Sequence, residues 1–132
     1  MKTLTFLSTS LAALCALFLA GTAQAQSADG YPNKPIRVVV PFAAGGPTDV
    51  IARVIATHLK NSLGQPILIE NRTGAGGNLA SETVARARPD GYTLLYGCTS
   101  MLTINPSVYK SLPYDTLRDF APITHTVKPY SS

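Results

Sequence analysis

Val38-Val39-Val40-Pro41-Phe42-Ala43-Ala44-Gly45-Gly46-Pro47-Thr48-Asp49 is an apolar run that breaks into a glycine-rich turn and then enters an amphipathic pattern. It reads as strand, loop, helix. Two adjacent glycines let a ligand approach the backbone closely, and a helix starting here aims free N–H groups and its positive dipole end into the loop. Upstream, Ile36 to Val40 is apolar on both faces apart from Arg37, the mark of a buried parallel strand. Downstream, the spacing predicts a helix from about Pro47 to Leu63. Pro47 suits the first helical position, and Asp49 lies in the first turn, where a carboxylate complements the dipole. Val50, Ile51, Val54, Ile55, Leu59 and Leu63 recur at helical spacing and are expected to face a sheet, with Arg53, Thr57, Lys60 and Asn61 on the other side. Gly64 can take the left-handed cap conformation, and Pro66 blocks continuation.

The same plan then repeats. Ile67-Leu68-Ile69 is a second apolar strand ending at Glu70, and Asn71-Arg72-Thr73-Gly74-Ala75-Gly76-Gly77-Asn78 is a second glycine-rich loop before a helical stretch, Leu79 to Arg86. Pro89-Asp90-Gly91 signals a turn, Tyr92 to Tyr96 a third strand, and Cys98 to Thr103 a third loop leading to a short helical turn ending near Tyr109. Strands alternating with helices imply right-handed βαβ crossovers and a parallel sheet. In such sheets the ligand crevice lies beyond the carboxyl ends of the strands, where all three loops fall.

The start of the chain reads as an address. Lys2 supplies a positive charge, Leu4 to Ala20 is an almost unbroken apolar run, and Ala23-Gln24-Ala25 is a small-x-small cleavage site, so residues 1–25 are expected to be a secretory signal peptide. The apolar run is short for a bilayer span. Cys15 follows Leu14 inside that run, which argues against lipid attachment. Residues 26–34 form a polar leader. Of the 132 residues, about a hundred then remain, enough for one small domain. Cys98 is the one cysteine left there, so neither an intrachain disulfide nor a thiolate metal cluster is expected, and Cys98 reads as a small buried hydrophobe at a strand end. The net charge of +4, reduced by the loss of Lys2, is scattered along the chain. With no basic cluster interleaved with aromatics, nucleic acid is excluded as a partner, whereas a small anionic ligand suits the balance.

Neither glycine loop fits a nucleotide motif. There is no G-x-x-x-x-G-K-[ST] stretch, and the dinucleotide fingerprint fails at Leu79. His58 and His125 lack a nucleophile or carboxylate at motif spacing, and Ser81, Ser100 and Ser107 lack a nucleophile-elbow context. For Asp49 two compatible readings stand: capping of the helix, and a water-mediated contact to ligand. Phe42 stands at the mouth of the first loop. Tyr92 and Tyr96 read as packing residues of the third strand. Arg72 is expected to pair with Glu70 or Asp90 in preference to holding a ligand carboxylate.

Tyr31-Pro32-Asn33-Lys34-Pro35-Ile36-Arg37, Val40-Pro41-Phe42 with Gly45-Gly46-Pro47-Thr48-Asp49, Leu63-Gly64-Gln65-Pro66, Glu70-Asn71-Arg72 with Gly74-Ala75-Gly76-Gly77-Asn78, Asp90-Gly91-Tyr92-Thr93-Leu94-Leu95, Ile104-Asn105-Pro106, and Leu112-Pro113-Tyr114-Asp115 with Arg118-Asp119-Phe120-Ala121-Pro122 follow one another in order. Together they resemble the substrate-binding receptors of tripartite tricarboxylate transporters, the Bug family of extracytoplasmic solute receptors. The resemblance implies an α/β fold, a type II periplasmic-binding-protein-like domain with a parallel sheet built from βαβ units. It implies a periplasmic, monomeric protein without cofactor that binds a small carboxylated solute and delivers it to membrane permease subunits. Carried over by motif position, the ligand-binding residues are Phe42, Gly45, Gly46, Thr48 and Asp49 in the first loop, Ala75, Gly76, Gly77 and Asn78 in the second, and Ser100 in the third.

Two departures from the family pattern qualify that expectation. Met101 and Leu102 stand where family members commonly carry a hydroxyl and an imidazole, which makes the third loop less polar. Family chains are also more than twice as long, so residues 35–127 read as the N-terminal part of the first solute-binding domain and residues 128–132 as a divergent tail, with the second domain absent. A non-functional truncated gene product and a small α/β enzyme acting on a carboxylate are the alternatives.

Overall fold

The computed structural model describes residues 30–126; the expected signal peptide, most of the leader before Tyr31 and the tail at 128–132 lie outside the described residues. Three parallel strands, β1 (Ile36–Val40), β2 (Ile67–Asn71) and β3 (Thr93–Leu95), form a sheet in the order β2-β1-β3. Val38 lies opposite Ile69 on one side and Leu94 on the other. β1 is therefore the strand with neighbours on both sides, which is why its residues can be apolar on both faces: Val39 and Val40 are fully buried and Ile36 nearly so. Burying each such side chain contributes roughly 1.5–3 kcal/mol.

Helix α1 (Pro47–Leu63) connects β1 to β2, and α2 (Asn78–Ala85) connects β2 to β3; α3 (Asn105–Val108) follows a π-helical turn at Ser100–Ile104. The first crossover moves outward from β1 and the second moves back across it, so right-handed connections put α1 and α2 on opposite faces of the sheet. Ile36, Val38 and Val40 pack with Ala52 of α1, flanked by Ile67, Ile69, Tyr92, Leu94 and Tyr96. α2 packs against β3 and β1 and buries Ala80 and Ser81.

The boundaries of β1 and α1 coincide with those read from the pattern, and Gly64 caps α1 at φ 68° with its amide on the Lys60 carbonyl. The buried face of α1 differs from the expected one. Asp49, Ala52 and Ala56 face inward, while Val50 and Val54 are 52% and 54% exposed and Ile51, Leu59 and Leu63 are also exposed. Small side chains let the helix sit close to the sheet, and Asp49 turns inward with them. Residues 31–34 are docked onto the turn before β3: Tyr31 packs edge-on against Tyr92, its hydroxyl donates to the Gly91 carbonyl at 2.8 Å, and Lys34 pairs with Asp90 at 3.2 Å. No helix among the described residues is long and apolar enough to cross a membrane.

Candidate functional site

Hydrogen bonds that continue the sheet past its strands bring the loops out at one end. The Arg72 amide donates to the Val40 carbonyl at 2.8 Å, and the Tyr96 amide to the Val39 carbonyl at 2.9 Å. Loop 1 (residues 41–46), loop 2 (residues 72–77) and loop 3 (residues 96–99) thus leave the same sheet edge, with β1 in the middle, at the point where the connections diverge to opposite faces.

Loop 1 is shaped by Asp49. The residue is 1% exposed, and its carboxylate meets three donors: the Gly45 amide at 2.8 Å, the Arg53 guanidinium at 2.8 Å, both on Oδ2, and the Asn71 side-chain amide at 2.8 Å on Oδ1. The Arg53 bond first, then those from Gly45 and Asn71, hold this carboxyl well below the usual carboxylate range, against the opposing effect of burial. Gly46 is the N-cap of α1 and makes no side-chain capping bond. Asp49 instead reaches back from the third helical position to the residue before the cap, a displaced version of the capping box. The first helical hydrogen bond runs from the Val50 amide to the Gly46 carbonyl, so the Thr48 and Asp49 amides precede the helical ladder and face the loop side. Phe42, in the same loop, is 39% exposed.

Loop 2 winds left-handed. Gly74, Ala75, Gly76 and Gly77 all have positive φ, at 126°, 49°, 63° and 90°. The Gly77 amide closes the turn on the Gly74 carbonyl and the Asn78 amide on the Ala75 carbonyl, leaving the amides of Ala75 and Gly76 outside the turn's own bonds. Ala75 pays a steric penalty in this conformation that glycine avoids, of order 1–3 kcal/mol. The surroundings enforce it: the Asn105 side-chain amide donates to the Gly76 carbonyl at 3.1 Å and to Asn78 Oδ1 at 2.7 Å, and the Tyr114 hydroxyl donates to that same oxygen at 2.7 Å. Asn78 and Asn105 are both buried.

The structure therefore brings the expected residues of loops 1 and 2 to one sheet edge, with Ala75 and Gly76 exposed and Gly77 and Asn78 buried beneath them. Ser100 lies in the turn after loop 3, exposed, with its hydroxyl 3.0 Å from Cys98 Sγ. Met101 is fully buried against Gly77, and Leu102 is exposed. Arg72 pairs with Glu70, as its position suggested, and Glu70 also meets Arg37 at 3.1 Å. His58 and His125 are exposed surface residues. The ties Arg53, Asn71, Asn105 and Tyr114 were not among the residues singled out from sequence. Ile67, Ile69 and Asn71 share one face of β2, and an amide in the third place of an otherwise apolar row was the available signal. Among the described residues, no group of three or more His, Cys, Asp or Glu side chains could hold a metal ion.

The family model described as "Tripartite tricarboxylate transporter family receptor" matches residues 51–131. The chain belongs to this family. It is 45% identical over 119 residues to protein BugT of Bordetella pertussis, covering 88% of this chain and 36% of that one. Among solved structures, periplasmic binding protein BugD superposes with a TM-score of 0.65 at 44% identity, over 70% of this chain and 31% of BugD. MatC of Rhodopseudomonas palustris, solved with bound malate, gives 0.66 at 47% identity, over 70% of this chain and 31% of MatC. An R. palustris protein solved with adipate gives 0.63 at 40% identity, over 66% of this chain and 29% of that one. The α/β fold with its parallel sheet is thus that of the matched part of periplasmic binding proteins. The chain spans about a third of the length of the curated relatives it matches.

Proposed function

We propose that this Bug-family chain serves as the periplasmic solute receptor of a tripartite tricarboxylate transporter-type uptake system, binding a small carboxylated solute and passing it, as a monomer, to the permease subunits in the membrane. The observation that carries this reading is the pairing of two amide-bearing turns, the start of α1 and the left-handed turn of loop 2, at one edge of a parallel sheet. Backbone donors at such positions bind a carboxylate without a buried counter-charge and its desolvation penalty. Two relatives were solved with dicarboxylates, malate and adipate. In this reading the Thr48 and Asp49 amides of loop 1 and the Ala75 and Gly76 amides of loop 2 hold one carboxylate. Phe42 walls the site, Gly45, Gly46, Gly77 and Asn78 give the loops their shape, and Ser100 approaches from the turn after the third loop. Turnover is not part of the proposal, because the matched family is one of receptors.

Isothermal titration of the chain with malate, adipate and citrate, each beside its neutral amide, tests this. Saturable binding of at least one acid and none of its amide is expected. Equal binding of acid and amide, or no binding of any acid, would overturn the proposal.

A further inference from the structure

One side chain outside the family-derived site set connects its first loop to the second strand. Asn71 lies opposite Val40 at the carboxyl end of β2, on the face that meets α1. Its side-chain nitrogen donates to the Phe42 carbonyl at 3.0 Å and to Asp49 Oδ1 at 2.8 Å, and its oxygen accepts from an Arg53 terminal nitrogen at 3.3 Å. Both amide hydrogens are thereby used on loop 1 and the first turn of α1, and the acceptor on α1 one turn further along. Asp49 in turn holds the Gly45 amide. We infer that Asn71 is a positioning residue for the proposed carboxylate site: it fixes the Phe42 carbonyl and the Asp49 carboxylate together, and so sets the direction in which the Thr48 and Asp49 amides point. The inference rests on the receptor reading for its functional part, and on the hydrogen-bond geometry alone for its structural part.

The charged groups that meet Asn71 are Asp49 and Arg53, both from α1. Its chain neighbour Arg72 is paired with Glu70. Asn71→Asp keeps size and shape but replaces the donor to Asp49 and to the Phe42 carbonyl by a carboxylate. When that new carboxyl is ionised it repels Asp49; when protonated its single O–H can donate to Asp49 Oδ1, while the bond to the Phe42 carbonyl stays lost, so acid restores the Asp49 tie alone. Arg53, near both, softens the repulsion without restoring the lost donor.

The test follows the Gly45 amide resonance of the full chain by NMR, with and without malate as probe, from pH 7 to pH 4. In the unsubstituted chain the Gly45 resonance holds its carboxylate-bonded position throughout. Asn71→Asp is expected to shift it toward a water-exposed amide at pH 7 and to weaken malate binding about tenfold relative to the unsubstituted chain, the size of a lost hydrogen bond to a charged group. Both are expected to return toward the unsubstituted values as the pH falls. Asn71→Ala is expected to show the loss at every pH. An unchanged Gly45 resonance in Asn71→Asp at pH 7, or a displaced Gly45 resonance that acid does not move back at all in a folded protein, would overturn the positioning role. If the unsubstituted chain does not bind malate, the Gly45 resonance still decides this inference, and the receptor proposal is judged separately by the acid and amide titrations.

Discussion

The thioether of Met101 fills the volume that a side chain on Gly77 would need. A Cβ built on Gly77 would lie 2.7 Å from the Met101 sulfur and 2.9 Å from its methyl carbon, and Gly77 has a φ of 90°. The contact joins the left-handed turn of loop 2 to the π-helical turn after loop 3, so these two turns share one packing unit.

Gly77→Ala therefore combines backbone strain with overpacking and is expected to destabilise the fold by at least about 2 kcal/mol. Met101→Ala leaves a cavity in its own right, and the two together should lose less than the sum of the single changes. Urea denaturation of the two single variants and the double variant measures the coupling. Strict additivity would show that the Met101 contact is not what excludes a side chain at Gly77.

A second consequence concerns a hydroxyl. Ser81 is fully buried on α2, and its Oγ has no hydrogen-bond partner among the described residues. A buried donor without a partner carries a desolvation penalty that an alanine of nearly the same shape avoids. Ser81→Ala is expected to raise stability by about 1 kcal/mol, seen as a higher urea midpoint with an unchanged slope. A drop in stability would mean that the hydroxyl is bonded in solution.

Acid sensitivity follows from four carboxyls. Asp49, through Arg53 first, Glu70, through Arg72 first, Asp90, through the Tyr92 amide first, and Asp119, through the Asp115 amide first, are all held below their ordinary values. A carboxyl that titrates lower in the folded chain stabilises it above the unfolded value, about 4, and that stability is lost as the pH falls through the folded value. Melting temperature should be flat from pH 7 to about 5 and fall below about 4. Asp49→Asn is expected to lower the plateau by several degrees and to make the acid limb shallower. An acid limb as steep as that of the unsubstituted chain would assign the effect to the other three groups.

What could be read from the residues, and what could not, divides along a physical line. Strand and helix bounds for β1 and α1 follow from local signals: Pro47, Gly64, Pro66 and an apolar run. The glycine loops and their placement at one sheet edge follow from alternation of strand and helix. Long-range polar ties leave a weaker trace. Asn71 to Asp49 spans 22 positions and Tyr114 to Asn78 spans 36, and neither distance is written in any periodicity. Nor does the left-handed conformation of Ala75 follow from its type, since alanine favours ordinary helical geometry. The rotation of α1 departs from its apolar pattern for the same reason: Asp49 turns inward to its polar partners, and Val50 and Val54 are left exposed.

That rotation is itself testable, because the two candidate faces of α1 make opposite demands. If the helix turned its branched residues to the sheet, a charge at Val54 would be buried without a partner and would unfold the domain. With Asp49, Ala52 and Ala56 inward, Val54 is half exposed, and Val54→Lys is expected to change stability by no more than about 0.5 kcal/mol. Ala52→Leu makes the reverse demand. It forces three extra carbons into the cluster that Ala52 forms with Ile36, Val38 and Val40, and is expected to destabilise by roughly 1–3 kcal/mol. Thermal melts of the two variants discriminate the arrangements directly: a severe loss in Val54→Lys with tolerance of Ala52→Leu would mean that α1 is rotated from the position Asp49 gives it, and that the Asp49, Asn71 and Gly45 contacts do not hold the loop.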